Sequence, residues 1–360
     1  MTAEGFLLYL QTPVSGVIMK PEMKERRSKQ MRRPRILVVG SFVMDQIAST
    51  AVFPREGQTV LGEAFSKAPG GKGANQAVQA ARLGADVTML GKLGRDANGQ
   101  EMLHTMKEAG VDTSYVLYDE EKASGCAVII LEQTPGKATK NRIIVIPGSN
   151  MTITEEEVAF LKDGIRDYDM VMLQLEIPMV VNERVASYAR EAGVPVMLNS
   201  APSVPLSDRF LADLTYISPN EHEAADITGI AIDHTEEWID MAAVREACEA
   251  LRAKGVSNGL ITLGSAGAAM LNENGFFVSP CCNGIDVVDP TAAGDSFVGA
   301  FCTAVCCGLP MEDVLKFANY TAALTVSRLG AMPSLPTIGE VLEFMKGRGE
   351  SIPGLSCLTE

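Results

Sequence analysis

From residue 36 onward, short apolar runs alternate with segments of helical period. Residues 36–41 read as a buried first strand, an apolar run that ends on glycine and serine. Residues 73–83 then repeat apolar positions at helical spacing, 87–90 return to a strand pattern, and 99–109 to a helical one. Further strands are predicted at 170–174, 194–198, 214–217 and 260–263, with helices such as 181–192 and 241–254 between them. Strand and helix in alternation predict a mostly parallel central sheet with helices on both faces, an α/β fold.

Two stretches break this rhythm. Residues 42–68 and 114–147 read as consecutive strands without helices, and Cys126, Val128 and Ile130 alternate against Ala127, Ile129 and Leu131. That period of two suits a half-exposed antiparallel sheet, so both stretches are assigned to one small β-sheet lid. Its exposed edge would be relieved by pairing with a second copy, which predicts a homodimer through the lid. The domain boundaries read accordingly: residues 1–34 an N-terminal extension, 35–345 the α/β domain, 346–360 a C-terminal tail.

The 360 residues carry 46% hydrophobic and 21% charged side chains and a net charge of −14. This acidity argues against nucleic acid or an anionic membrane as main partner. It leaves room for a bound phosphate, which backbone N–H groups can hold locally. Eight cysteines include no C-x-x-C pair, and three histidines are poor material for a zinc site. Cysteines inside apolar runs act as small buried hydrophobes, which fits a reducing cytoplasm. In residues 1–34 the apolar stretch 6–10 precedes the basic cluster, the reverse of a signal peptide; the extension is a tail or an amphipathic arm. No run reaches the roughly 20 apolar residues of a membrane span.

The strongest chemical signal is the segment from Asp289 to Phe297, with Ala292, Ala293 and Gly294 just ahead of Asp295 and a helix predicted to about Cys307. Small residues at a helix start let a phosphate approach unpaired N–H groups. Asp289 can already supply a cap, so Asp295 is free to act as a base beside that anion hole. The second signal, Gly70 to Gln76, is a glycine-rich turn into a helix: a substrate loop or merely a helix-opening turn. It is no dinucleotide fingerprint, and no Walker-type phosphate loop occurs in the chain. A serine hydrolase is disfavoured by the lack of a G-x-S-x-G elbow and by three scattered histidines that offer little for a triad.

Together these segments resemble the phosphofructokinase-B family of carbohydrate kinases, in its ribokinase branch. The resemblance runs from Arg35 to Phe344. It rests on Gly40-Ser41 with Asp45, on Gly70 to Gln76, on Gln174 to Glu176, on Asn220 to Glu223, on Thr262 to Ser265, on Asp289 to Asp295 and on Gly330 to Ser334. It implies a ribokinase-like fold and ATP-dependent phosphorylation of the terminal hydroxyl of a pentose, D-ribose to D-ribose 5-phosphate. Asp45, Gly71, Lys72, Asn75 and Glu176 would hold the sugar, and Asp295 would be the general base. Ala292, Ala293 and Gly294 would form the anion hole. Asn220, Thr262, Leu263, Gly264, Ser265, Gly267 and Asn319 would bind ATP, and Asn220 with Glu223 would organise Mg²⁺ through water. A K⁺ activator would lie against Asp289, Thr291, Thr325, Arg328, Gly330 and Ser334.

One departure bears on the substrate. The family pattern has Asn two residues before the sugar-binding Asp, where this chain has Val43. That change points to 2-deoxyribose, or another sugar or nucleoside, as the alternative acceptor. A non-catalytic sugar sensor on the same fold is the reading of another class, and an intact Lys72, Asn220, Glu223 and Asp295 set argues against it.

Overall fold

The computed structural model describes residues 32–133, 140–235 and 238–359. Most of the predicted N-terminal extension, and part of the second lid stretch, lie outside the described residues. The large sheet contains β1 (Arg35–Val39), β4 (Asp86–Gly94), β5 (Asp112–Asp119), β8 (Met170–Gln174), β9 (Val196–Asn199), β10 (Tyr216–Ile217), β11 (Asn258–Thr262), β12 (Ala268–Asn272) and β13 (Gly275–Ser279). The small sheet contains β2 (Val43–Thr50), β3 (Ala64–Gly70), β6 (Gly125–Glu132) and β7 (Lys140–Ile146). Helices of eight residues or more, in chain order, are α1 (Lys72–Arg82), α2 (Ala97–Glu108), α3 (Met179–Ala192), α4 (Glu221–Thr228), α5 (Met241–Ala253), α6 (Ala293–Cys306), α7 (Met311–Val326) and α8 (Ile338–Gly347).

The large sheet runs β13-β12-β11-β10-β9-β8-β1-β4-β5. Strands β5 to β11 of that order pair in parallel, and β12 and β13 extend it antiparallel. Alternation along β1 explains why both faces need cover. Ile36 and Val38 pack into one core with α1, α2, α6, α7 and α8, while Leu37 and Val39 pack into the other with α3 and α5. The α/β class, with one large mostly parallel sheet and a small second one, is as the sequence predicts.

Three details differ from the sequence reading. Residues 112–119 form β5, the edge of the large sheet, and so do not belong to the lid. In the lid, β2 pairs in parallel with β6 and antiparallel with β3, because the chain crosses the large sheet between β3 and β6. The segment 346–360 is also no free tail. Ile352, Leu355, Cys357 and Leu358 are buried in the same core as α6 and α7. Its apolar residues are too sparse to show periodicity, which is why the sequence alone suggests a tail.

The close approach of α1 and α6 positions the site. A Cβ on Gly299 of α6 would lie 2.9 Å from the Gln79 Cβ of α1, so only glycine permits this separation. Gln79 then accepts from the Ser296 hydroxyl at 2.9 Å and donates to the Pro336 carbonyl at 2.9 Å. Deleting residues 351–360 uncovers this side of the core. With about 1.5–3 kcal/mol for each large aliphatic side chain, the expected loss is on the order of 5 kcal/mol, read as a lower thermal midpoint. An unchanged midpoint would make the segment a tail after all.

Candidate active site

The residues with chemistry follow the carboxyl ends of the parallel strands, where open α/β sheets bind ligands. Ser41 follows β1, Glu176 follows β8, Asn199 ends β9, and Ser218 and Asn220 follow β10. Opposite them, α1 and α6 point their amino ends at the same space.

Gly71 caps α1 at φ 94°, and a Cβ there would come within 2.7 Å of the Val43 nitrogen, so the turn requires glycine. This packs the start of α1 against β2 and Glu176. The Glu176 carboxylate accepts from the Ser41 hydroxyl at 2.5 Å and from the Lys72 backbone N–H at 3.0 Å. Val43 and Asp45, two residues apart on β2, share one face of the strand. Burial and then the negative charge of Glu176 push the Asp45 carboxyl up to about 6. Burial works against the charge of Lys72, but Asp295, Glu176 and Glu223 more than offset it and raise the ammonium above its ordinary value.

Asp295 stands in the first turn of α6 and is 7% exposed. Its two oxygens accept from the Asn75 amide at 2.8 Å and the Gln76 amide at 3.0 Å. Gln76 cannot turn over without loss, because its oxygen accepts from Gln174 at 2.7 Å. Sequence reasoning assigned no role to Gln76; its place directly after Asn75 on α1 was the available signal. Ala292 caps α6 at φ 61°, the single non-glycine residue with positive φ among the described residues. Such strain persists where surrounding structure imposes it, often at functional sites. Among the described residues, only the Ala293 N–H of the Ala293–Asp295 stretch meets a protein acceptor, the Pro290 carbonyl at 3.2 Å, and Ser296 begins the helical ladder on the Ala292 carbonyl. The N–H groups of Gly294 and Asp295 are thus available to an anion.

A cavity of about 690 Å³ runs from this helix start across the strand ends. It is lined by Lys72, Asn220, Glu223, Thr262, Gly264, Ser265, Gly267, Ala292, Ala293, Gly294, Asp295 and Asn319 from the predicted set. Leu263 does not line it; its side chain is buried in the core. Asn319 spends its amide on Ser279 and Pro280, fixing the cavity wall. Asn220 and Glu223 form a capping box: the Asn220 side-chain oxygen accepts from the Glu223 N–H at 2.8 Å and the Asn220 backbone N–H donates to the Glu223 carboxylate at 3.1 Å, to which the Asn220 side-chain amide also donates at 3.1 Å. Asn220 is therefore first a cap, and Glu223 presents the carboxylate. Asn199, Ser218, Cys281, Cys282 and Val287 also line the cavity and were missed. They lie on segments far apart in sequence.

The predicted cation residues gather outside this cavity. Asp289 accepts from the Thr291 N–H and hydroxyl at 2.9 and 2.6 Å and from the Gly330 N–H at 2.9 Å. Thr325 bonds to Ser296 at 2.7 Å, Ser334 donates to the Ala331 carbonyl at 2.7 Å, and Arg328 pairs with Glu340 at 2.8 Å. The Arg328 guanidinium points away, so this position can offer a cation only its main-chain oxygen.

Residues 33–338 match the family described as pfkB family carbohydrate kinase. Ribokinase of Schizosaccharomyces pombe is 40% identical over 319 residues, covering 85% of this chain and 96% of that protein. Deoxyribokinase of Salmonella typhi is 30% identical over 311 residues, covering 86% and 98%. A structure of Arabidopsis thaliana ribokinase complexed with ribose and ATP superposes with a TM-score of 0.78 at 32% identity, covering 87% of this chain and 99% of that one.

Asp45 generates a pH prediction. With its carboxyl at about 6 rather than 3.8, the buried acceptor is fully ionised only above that value. Affinity for a hydroxyl-bearing ligand should fall as pH drops below about 6, by up to roughly tenfold per unit. Asp45→Asn should flatten the profile in calorimetric titrations, and a wild-type profile flat from pH 7 to 5 would contradict the assignment.

Proposed function

The chain belongs to the pfkB family of carbohydrate kinases, and from that premise we propose that it transfers the terminal phosphoryl group of ATP to the terminal hydroxyl of D-ribose, giving D-ribose 5-phosphate. One observation carries the reading. A carboxylate held by two amides stands at a helix start whose free N–H groups face a cavity large enough for a nucleotide.

The sugar lies between the lid and the start of α1, with Asp45, Asn75, Lys72, Glu176 and the Gly71 turn reading its hydroxyls. Phosphoryl transfer depends on alignment and charge stabilisation more than on covalent catalysis by protein groups. The sugar oxygen bonds to the γ-phosphorus as the bond to the ADP oxygen breaks, and Asp295 takes the hydroxyl proton. The N–H groups at Gly294 and Asp295, with the Lys72 ammonium, stabilise the transferring oxygens. Asn75 and Gln76 keep Asp295 aimed at the hydroxyl.

Mg²⁺ fits the oxygen-rich end of the cavity, where Glu223 presents a carboxylate and Asn220 holds it in place. When bound, it neutralises charge on the nucleotide phosphates. K⁺ fits the oxygens that Asp289 and Thr291 share with the 325–334 segment, with main-chain carbonyls as hard donors. It would add positive charge behind the anion hole. We further propose a cytoplasmic homodimer. The lid edge β7 exposes Ile143, Ile144, Val145 and Ile146, an apolar strand that a second copy would cover.

2-Deoxyribose is the second reading, favoured by Val43. This side chain is buried on the same face of β2 as Asp45 and offers no partner to a hydroxyl. A hydroxyl buried against it loses water for about 1–3 kcal/mol. Val43→Asn should therefore raise the kcat/KM ratio of ribose to 2-deoxyribose by roughly 5- to 150-fold. An unchanged ratio would mean that Val43 does not set the choice of sugar.

The base assignment has its own test. Asp295→Asn should lower kcat by at least about 10²-fold while calorimetry still detects sugar and nucleotide binding. Near-wild-type turnover would remove Asp295 from the role of base.

A further inference from the structure

The segment after α8 folds back onto the carboxyl ends of α1 and α6. A Cβ on Gly84, just past α1, would lie 2.4 Å from the Leu358 carbonyl oxygen, and Gly84 has φ 99°. Only glycine allows the segment to sit this close. Seated there, the turn Ser356–Leu358 sets Cys357 against Cys307, the residue that ends α6. The Cys357 thiol lies 2.9 Å from the Cys307 sulfur, and the two residues are buried, at 6% and 4% exposure. Their backbones are held separately: the Cys307 N–H donates to the Thr303 carbonyl at 3.1 Å, and the Leu358 N–H to the Leu355 carbonyl at 3.0 Å. The approach of the two sulfurs is thus imposed by the fold on residues fifty positions apart in sequence. Phosphoryl transfer uses neither of them.

We propose that Cys307 and Cys357 are a reversible disulfide site, at which a small-molecule disulfide oxidises the pair and locks the 351–359 segment onto α6. As thiols the pair gains little from its closeness, because S–H is a weak donor and sulfur a weak acceptor. A disulfide, by contrast, needs two sulfurs brought together by backbones that already suit the bond. In a reducing compartment such a bond is conditional and not permanent. The step proceeds by exchange. The Cys357 thiolate attacks one sulfur of the small disulfide, forming a mixed disulfide and releasing one small thiolate; the Cys307 thiolate then attacks the Cys357 sulfur and releases the second. Two electrons pass from the protein to the small disulfide, and the two protein thiol protons end on the two small thiols. Burial, reinforced by the neighbouring Cys357, holds the Cys307 thiol well above its ordinary value. The closed site is therefore slow to react, and the first attack follows local opening of the Ser356–Leu358 turn. Once formed, the bond closes a loop of fifty residues and restricts the unfolded chain. Cys306, whose thiol also lies in the field of Cys357, is the competing partner.

The test incubates the full chain with oxidised glutathione, alkylates the remaining thiols in denaturant, and maps cross-linked peptides by mass spectrometry. Thermal midpoints of the oxidised and dithiothreitol-reduced protein are measured in parallel. A peptide joining Cys307 to Cys357 should appear, and free thiols should fall by at least two from the eight of the reduced chain. The oxidised midpoint should rise by about 5 °C or more and return on reduction. Cys307→Ser and Cys357→Ser should each abolish the difference between oxidised and reduced midpoints. That comparison is made within one variant, so a loss of overall stability does not mimic the effect, and the cross-link itself is read in the wild-type chain. Cys307 and Cys357 both recovered alkylated, or carrying glutathione without a cross-link, would overturn the proposal. So would pairing of Cys357 with Cys306 in place of Cys307. A Cys307–Cys357 cross-link that leaves the midpoint unchanged would overturn it equally, since such a bond locks nothing.

Discussion

The hydrogen bonds from Asn75 and Gln76 to Asp295 join two helices that are more than 200 residues apart in sequence. A carboxylate buried at 7% exposure needs such partners, since a buried charge without them is strongly disfavoured. The partners can reach it because Gly299 lets α6 approach α1 to a separation that any side chain would prevent. Gln174 then locks the Gln76 amide, and so ties the last residue of β8 to the same carboxylate. The central sheet, the helix crossing and the candidate base therefore share one geometric requirement.

Around that carboxylate the charges are graded. Asp45 and Glu176 face each other near the lid, and their repulsion, added to burial, pushes the Asp45 carboxyl up. Lys72 stands among Asp295, Glu176 and Glu223, which together hold its charge in place. A single cation thus links the end that would read hydroxyls to the end that would hold phosphates. The free N–H groups of α6 supply the remaining positive potential without adding a charged side chain.

Much of this was legible in the chain itself. The runs at 36–41 and 170–174 became β1 and β8, and the glycine-rich turn with its following helix became Gly71 and α1. The segment from Asp289 to Asp295 opens a helix as predicted, but Ala293, one of the expected N–H donors, is already bonded to the Pro290 carbonyl, and the N–H groups left free include those of Gly294 and Asp295. Other features depend on contacts that no local pattern encodes. The spacing of Asn220 and Glu223 suits a metal site when read from the sequence, and only the hydrogen bonds show that it serves helix capping. Asn199 and Ser218 look like ordinary strand ends until the sheet brings them beside Glu223. The burial of residues 352–358 likewise depends on a core built from distant helices.

The central claim is that this site moves a phosphoryl group from ATP to a sugar hydroxyl. The most direct measurement incubates the protein with ATP, Mg²⁺ and ribose or 2-deoxyribose, and follows ADP release together with ³¹P resonance spectra of the products. The account predicts ADP release that depends on the sugar, and a new phosphomonoester resonance coupled to the protons of the terminal carbon. ADP release at the same rate without sugar, or no phosphorylated sugar from either pentose, would contradict it.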